Sequence, residues 1–288
     1  MRRRFAAALT PYALIFPGGL WIAIFFVVPI VAMLSLSTMS GNLLTGFQQT
    51  FTFSNYADVL SLYHEQFIRS IIYGVIATVA VIAISYPMAY WISLYGGARK
   101  PTYLFLLLLP FFVTFVLRTL SWQFLLSDQG LLLGPLHNAG IVPSSFHILA
   151  TSFAVISGLV YYSVPFMVLP IYVALERINR EVLEAASDLY ANKVQTFLKV
   201  VLPLSLPGVF AGVLLTFVPV TSDYISAQIL GGTGQVMIGN VIETLYIQNS
   251  DYPQAAALSF VLMFALLLGI FAYARALGTE DVLEVSAA

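Results

Sequence analysis

Residues 67–95 read FIRSIIYGVIATVAVIAISYPMAYWISLY, and after Arg69 no charged side chain interrupts the run. About 20 apolar residues in a helix cross the hydrocarbon core of a bilayer. The stretch is therefore predicted to be a transmembrane helix. Five other runs meet the same requirement: 12–36, 102–126, 148–174, 203–225 and 256–277. Together they predict an all-α polytopic membrane protein with six transmembrane helices, organised as one domain over 1–288.

Composition agrees with this fold class. Hydrophobic residues make up 60% of the chain and charged residues 9%, where a soluble domain carries about a quarter charged. A chain this apolar needs lipid as solvent for its outer face. The net charge of -1 gives no basis for nucleic-acid binding. The absence of cysteine excludes disulfides, thiolate metal sites and Cys nucleophiles. His64, His137 and His147 are scattered without ligand spacing, so no metal site is expected.

Lys and Arg positions set the expected orientation. Ten of the twelve lie in alternate connections. Arg2, Arg3 and Arg4 precede the first span, and Arg99 and Lys100 separate the second from the third. Arg177, Arg180, Lys193 and Lys199 separate the fourth from the fifth, and Arg275 closes the sixth. Connections 37–66, 127–147 and 226–255 contain none. By the positive-inside rule both termini are cytoplasmic. Met1-Arg2-Arg3-Arg4 looks like a signal-peptide start, but the apolar run behind it is too long, so a retained span is expected. Two basic residues stand apart. Arg69, at the outer start of span two, can snorkel. Arg118, inside span three, needs a partner or a watery cavity.

The connection 175–202, LERINREVLEAASDLYANKVQTFLKVVL, followed by Pro203, is too polar to span. Leu183, Ala186, Tyr190, Val194, Phe197 and Val201 recur at helical spacing. Glu181, Glu184, Asp188, Asn192, Gln195 and Lys199 recur with the same spacing on another face. The pattern predicts one amphipathic helix or a pair of them. A helix lying on the membrane is one reading, but such helices carry a basic polar face. An acidic and amide face suits docking to a protein.

The run Glu184-Ala185-Ala186, followed by Leu202-Pro203 and Leu206-Pro207-Gly208, resembles the "EAA" loop of binding-protein-dependent ABC importer permeases. Phe53-Ser54-Asn55-Tyr56 and Tyr86-Pro87-Met88-Ala89 look like upstream signals of that family. Glu184 to Leu189, Gln195-Thr196-Phe197, Leu230-Gly231-Gly232 and Ile238 to Ile242 bring it nearest to the first permease subunit of spermidine/putrescine importers. The resemblance implies that 175–202 is a cytoplasmic coupling-helix segment seated on a separate ATPase. Its coupling residues would be Glu184, Ala185, Ala186, Asp188, Tyr190, Leu202 and Pro203. It also implies two copies of an ATP-binding subunit, a second and different permease subunit, an extracytoplasmic solute-binding protein, and a prokaryotic cytoplasmic membrane. In the family a glycine stands where this chain has Tyr190. Tyrosine resists the backbone shapes glycine allows, so either the helix runs on through the turn or the ring packs into the ATPase.

No G-x-x-x-x-G-K-[ST] loop is present, and Gly231-Gly232-Thr233-Gly234 lacks a following Lys and reads as a turn. ATP and Mg are thus expected on partner subunits, with no cofactor in this chain and no enzymatic activity of its own. A secondary transporter or channel for a small cation is the rival reading, and it leaves the EAA-like segment unexplained.

A polyamine path should offer carboxylates and aromatic faces. Asp223 and Tyr224, at the end of span five, with Tyr161 and Tyr162 in span four and Arg118 in span three, are the candidates. Along straight helices Asp223 lies about 36 Å beyond Lys199 and Arg118 about 27 Å beyond Lys100. Both fall in the outer part of a core about 30 Å thick. Two roles remain open for Asp223: contact with substrate, or a structural pair with Arg118. Glu243 and Asp251 read as solvated charges of the loop 226–255.

Overall fold

The computed structural model describes residues 15–276 other than 144. The Arg2, Arg3 and Arg4 cluster lies outside the described residues. The described chain is helical apart from one small hairpin, and five helices are long and apolar enough to cross a membrane. These are α1 (Ile15–Ser37), α2 (Ser54–Tyr95), α6 (Ser152–Glu176), α8 (Lys193–Thr221) and α11 (Tyr252–Ala276). A bent pair, α3 (Gly97–Phe112) and α4 (Phe115–Leu126), meets the same requirement only when its two halves are counted as one span, and a short helix, α5 (Leu133–Asn138), follows it.

The bent pair departs from the continuous helix expected over 102–126. The two halves meet at 92°. Pro110 opens a tight 3-10 turn, Val113 and Thr114 are extended, and α4 restarts at Phe115. Proline has no amide to give the preceding turn, which makes this the natural break point. The straight-helix depth assigned to Arg118 therefore does not hold.

The described residues form two compact units, 15–64 with Ile242–Met263 and Glu65–Val241 with 264–276. In the first, α1 presents Trp21, Phe25, Phe26 and its neighbours on an exposed apolar surface, as a lipid-facing helix does. After α1, β1 (Met39–Asn42) pairs antiparallel with β2 (Gly46–Gln49), Met39 opposite Gln49. Asn42 closes this hairpin by accepting the amides of Leu44 and Thr45 at 2.9 Å each. Asn55 donates to the Ser37 and Met39 carbonyls at 2.9 and 3.0 Å, anchoring the hairpin to the start of α2.

In the second unit α6 and α8 cross closely. Gly208 faces Pro170, Ile171 and Ala174, and Gly212 faces Met167. Small residues four apart let transmembrane helices approach. Two buried clusters line this unit. Tyr73, Leu126, Leu159, Tyr162 and Leu230 build one. Val81, Tyr86, Met167, Ile171 and Val201 build the other.

The segment expected as a loop from residue 226 on folds into short helices α9 (Ile225–Leu230) and α10 (Ile238–Glu243). Within the second unit it is stitched inward. Arg69 donates to the Val236 carbonyl at 2.9 Å, and Ser70 accepts the Ile238 amide at 2.7 Å. Gln123 donates to the Ile229 carbonyl at 3.0 Å, and the Ala150 amide to that of Leu230 at 2.9 Å. Arg69 thus satisfies a backbone carbonyl where snorkelling was expected. The glycine run 231–234 forms a turn, with Gln235 accepting the Gly232 amide at 3.1 Å. In the first unit Asp251 accepts the Gln254 amide at 3.2 Å and holds the start of α11, a structural role for a side chain expected to be a solvated loop charge.

Candidate coupling segment and acidic site

The connection after α6 is a pair of helices. Asn179 accepts the Glu181 amide at 3.1 Å and starts α7 (Arg180–Asp188). Asn192 accepts the Gln195 amide at 2.9 Å while Gln195 accepts the Asn192 amide at 3.0 Å, a capping box that starts α8. Such caps satisfy amides that a helix start leaves free. Between the caps the chain turns at Tyr190, whose φ is +59°. The Tyr190 amide bonds the Ser187 carbonyl at 2.9 Å, and the Ala191 amide bonds that of Ala186 at 3.1 Å. The helix does not run through the turn, so the sharp reversal survives the replacement of glycine by tyrosine. Left-handed backbone costs an L-residue about 1–2 kcal/mol.

The reversal divides the apolar face read from the sequence. Leu183, Ala186, Phe197 and Val201 pack inward. Tyr190 and Val194 stay exposed, as does Leu189. Glu184, Ala185 and Asp188 are exposed on α7. Leu202 and Pro203 lie where α8 leaves a π turn over Phe197–Val201. Pro203 has no amide for the Lys199 carbonyl, and the Leu202 amide bonds Phe197 instead. A register slip of this kind follows from proline chemistry.

Phe197 anchors the segment to α2. Its ring meets Tyr86 and Tyr90 edge-on, with centroids 5.6 and 5.7 Å apart. The Tyr86 and Ser205 hydroxyls share a buried hydrogen bond of 2.7 Å. Nearby, Glu176 at the end of α6 accepts Ser93 at 2.7 Å and Lys100 at 2.6 Å. The segment 175–202 is thereby fastened to α2 and α3. Phe197 and Tyr86 were visible in the sequence only as members of a periodic face and of a family signal. Their contact was not, and neither was the Gly208 and Gly212 crossing, although the small-x-x-x-small spacing was there to find.

The candidates for a solute path divide into two groups. Asp223 lies past the end of α8, which stops at Thr221 rather than 225. Its carboxylate accepts the Ser226 amide at 2.7 Å and the Ser226 hydroxyl at 3.2 Å, and the Tyr162 hydroxyl is its neighbour. Tyr162 is buried and meets Phe115 edge-on at 5.0 Å. Arg118 stacks its guanidinium 4.6 Å over Phe111 and lies 5.9 Å from the Phe115 centroid. Its Nε has no hydrogen-bond partner. Arg118 and Asp223 are therefore not ion-paired. Contacts run from Arg118 to Phe115, from Phe115 to Tyr162 and from Tyr162 to Asp223. Phe111 and Phe115 were not singled out from the sequence.

Tyr161, one residue from Tyr162 and so about 100° around the helix, faces elsewhere. It stacks on Trp122 at 5.0 Å and lines an apolar cavity of about 620 Å³ with Leu117, Phe124 and Leu131. Tyr224 is half-exposed, and its carbonyl accepts Asn240 at 2.7 Å. The five candidates thus do not converge on one point. Asp223, Tyr162 and Arg118 form one connected group, and Tyr161 belongs to another surface.

Residues 97–277 match the family described as binding-protein-dependent transport system inner membrane component. The chain belongs to this family. It is 34% identical to the spermidine/putrescine transport system permease protein PotB of Escherichia coli (strain K12), over 89% of this chain and 94% of that one. The protein of the same name from Haemophilus influenzae (strain ATCC 51907 / DSM 11121 / KW20 / Rd) is 35% identical over 89% and 90%. The inner membrane ABC transporter permease protein YdcU of Escherichia coli (strain K12) is 31% identical over 76% and 74%. In structure the chain is similar to a bacterial ABC transporter involved in alginate import, with a TM-score of 0.71 over 94% of this chain and 98% of that one. At 19% identity that likeness speaks for the fold alone. The chain is a multi-pass inner-membrane permease subunit of an ABC importer.

Proposed function

We propose that this permease subunit imports polyamines of the spermidine/putrescine class by alternating access. The permease relatives that match nearly the whole chain support this substrate class. Asp223 and the aromatic faces beside it suit ammonium groups separated by methylenes, since cation–π contacts contribute about 0.5–2 kcal/mol each. Two copies of an ATP-binding subunit, carrying ATP and Mg, would drive the cycle through α7 and the start of α8. A second, different permease subunit would complete the path, and an extracytoplasmic solute-binding protein would deliver the solute. Both termini would face the cytoplasm.

The observation that carries the coupling role is the capped helix pair that reverses at Tyr190 with its apolar tip exposed. A secondary transporter would have no use for that element. The test is ATP hydrolysis by the reconstituted complex, wild type against Glu184→Arg. Spermidine-loaded binding protein should stimulate the wild type, and an assembled Glu184→Arg complex should lose the stimulation. Stimulation equal in both would remove the coupling role. Stimulation by an unrelated solute and none by spermidine or putrescine would remove the substrate class.

A further inference from the structure

Arg118 is a cation without a counter-ion. It stands in the first turn of α4, just past the break that ends α3. Its guanidinium lies 4.6 Å over the ring of Phe111, on α3, and 5.9 Å from the Phe115 centroid. Among the described residues it forms no ion pair, and its buried Nε has no hydrogen-bond partner. A charge inside a span pairs with another or marks a path. Arg118 does not pair.

The two rings under the guanidinium are braced from α6. Phe111 meets Phe166 edge-on at 5.1 Å, and Phe115 meets Tyr162 edge-on at 5.0 Å. The aromatic faces therefore stay in place whether or not Arg118 sits on them. Phe111, Phe115, Arg118 and Asp223 are each partly accessible, and Tyr162, which touches Phe115 and Asp223, is buried. A seat for a cation is thus linked by contacts to a carboxylate, and the chain's own guanidinium already fills it. Positive charge fixed beside a polyamine path would repel the solute. A guanidinium held by aromatic faces alone, with one nitrogen unsatisfied, is held weakly enough to be exchanged.

We propose that Arg118 is a built-in competitor of the solute: its guanidinium occupies the Phe111 and Phe115 faces while the path is empty, and an ammonium group of the polyamine displaces it. The inference rests on the polyamine reading above and deepens it. Phe111 and Phe115 are the aromatic subsite, and Arg118 sets how tightly that subsite holds the solute. A second ammonium on the same molecule, held at Asp223, raises the local concentration of the first at the seat. The displaced guanidinium swings on its long stem toward water.

Arg118→Gln, Arg118→Met and Arg118→Lys in the assembled transporter test the idea. Three quantities are read: spermidine affinity by equilibrium dialysis without binding protein, spermidine uptake with it, and the thermal midpoint. Arg118→Gln empties the seat, so spermidine should bind about three- to tenfold more tightly. Arg118→Met, apolar and of similar length, should gain as much. Arg118→Lys keeps a tethered cation and should stay within about twofold of wild type. Phe111→Leu takes a face from both competitors, so adding Arg118→Gln to it should gain less than Arg118→Gln gains alone. Unchanged or weaker binding in Arg118→Gln overturns the competitor. Failure of both Arg118→Gln and Arg118→Met to assemble makes Arg118 a brace of the bend between α3 and α4, and overturns it as well. A wild-type transporter that takes up spermidine, with no tighter binding in Arg118→Gln, loses the competitor and keeps the polyamine reading. One that takes up neither spermidine nor putrescine loses both.

Discussion

Phe197 lies edge-on to Tyr86, with ring centroids 5.6 Å apart and the planes at 90°. This contact joins the start of α8 to α2, and the Tyr86 to Ser205 hydrogen bond ties α2 to α8 again about two turns further on. Edge-to-face pairs contribute about 0.5–1.5 kcal/mol beyond their buried area. Two such pairs meet on the Phe197 ring. Phe197→Leu keeps an apolar side chain but loses both. It should destabilise the permease by about 1–3 kcal/mol, leave basal hydrolysis of the assembled complex intact, and lower stimulation by loaded binding protein. Hydrolysis assays with and without binding protein check this. Undiminished stimulation would show that the ring only fills space.

The α6 and α8 crossing predicts an order among glycine variants. A Cβ at Gly208 would lie 2.5 Å from the Ala174 Cβ, 2.6 Å from the Pro170 carbonyl oxygen and 3.0 Å from the Ile171 Cα. Two of those atoms are backbone and cannot move without shifting α6. At Gly212 the nearest atom is the Met167 Sδ, also at 2.5 Å, with backbone no nearer than 3.3 Å. A thioether can swing away. Gly208→Ala should therefore cost about 1–3 kcal/mol and Gly212→Ala clearly less, as read from thermal midpoints in detergent. Equal costs would mean that Met167 is as fixed as the backbone.

How much of this was legible in the sequence depends on which property each feature requires. The spans were legible because hydropathy reports burial in lipid directly. The helix pair after α6 was legible because its two faces repeat with helical spacing. The break between α3 and α4 was not, since Val113 and Thr114 are as apolar or as neutral as the helix around them. Only Pro110 marked the place, and most transmembrane prolines bend a helix without breaking it. The folding of 225–248 was also hidden. Its helices are shorter than a span, and the side chains that hold it inward, Arg69, Ser70 and Gln123, lie more than a hundred residues away in sequence. At Tyr190 residue type pointed away from a turn, and the caps at Asn179 and Asn192 imposed one.

Glu176 receives both Ser93 and Lys100 on one carboxylate oxygen. The Lys100 and Glu176 side chains are 20% and 35% exposed, so solvent screens the pair. Exposed ion pairs contribute about 0–1 kcal/mol. Lys100→Met should lower stability by no more than this, and the difference from wild type should shrink as salt is raised. Glu176→Gln keeps an acceptor for Ser93 and should cost still less. Thermal midpoints at low and high salt decide. A large, salt-independent loss would mean that the cluster is dry.

Asp223 and Arg118 are the oppositely charged pair one would have joined from the sequence, yet the contacts that link them run through Phe115 and Tyr162. The Asp223 carboxylate is occupied by Ser226, whose amide and hydroxyl it accepts. Asn in its place keeps an acceptor for that amide, removes the charge, and puts a donor where Oδ2 accepted the Ser226 hydroxyl, which can turn to accept instead. Asp223→Asn should therefore assemble normally. Hydrogen bonds to a charged group are worth about 1.5–3 kcal/mol, so the KM for spermidine should rise about ten- to a hundredfold. Asp223→Ala loses the acceptor as well and should add a loss of about 0.5–2 kcal/mol in stability. If the two charges instead formed a structural lock, Arg118→Leu and Asp223→Leu would each impair assembly and the double variant would recover it. The geometry predicts no such recovery, because no shared bond exists to be removed from both sides. Purified yield of the three Leu variants, set beside spermidine uptake by Asp223→Asn, separates the two roles. A rescued double variant with an unchanged KM in Asp223→Asn would take Asp223 off the solute path.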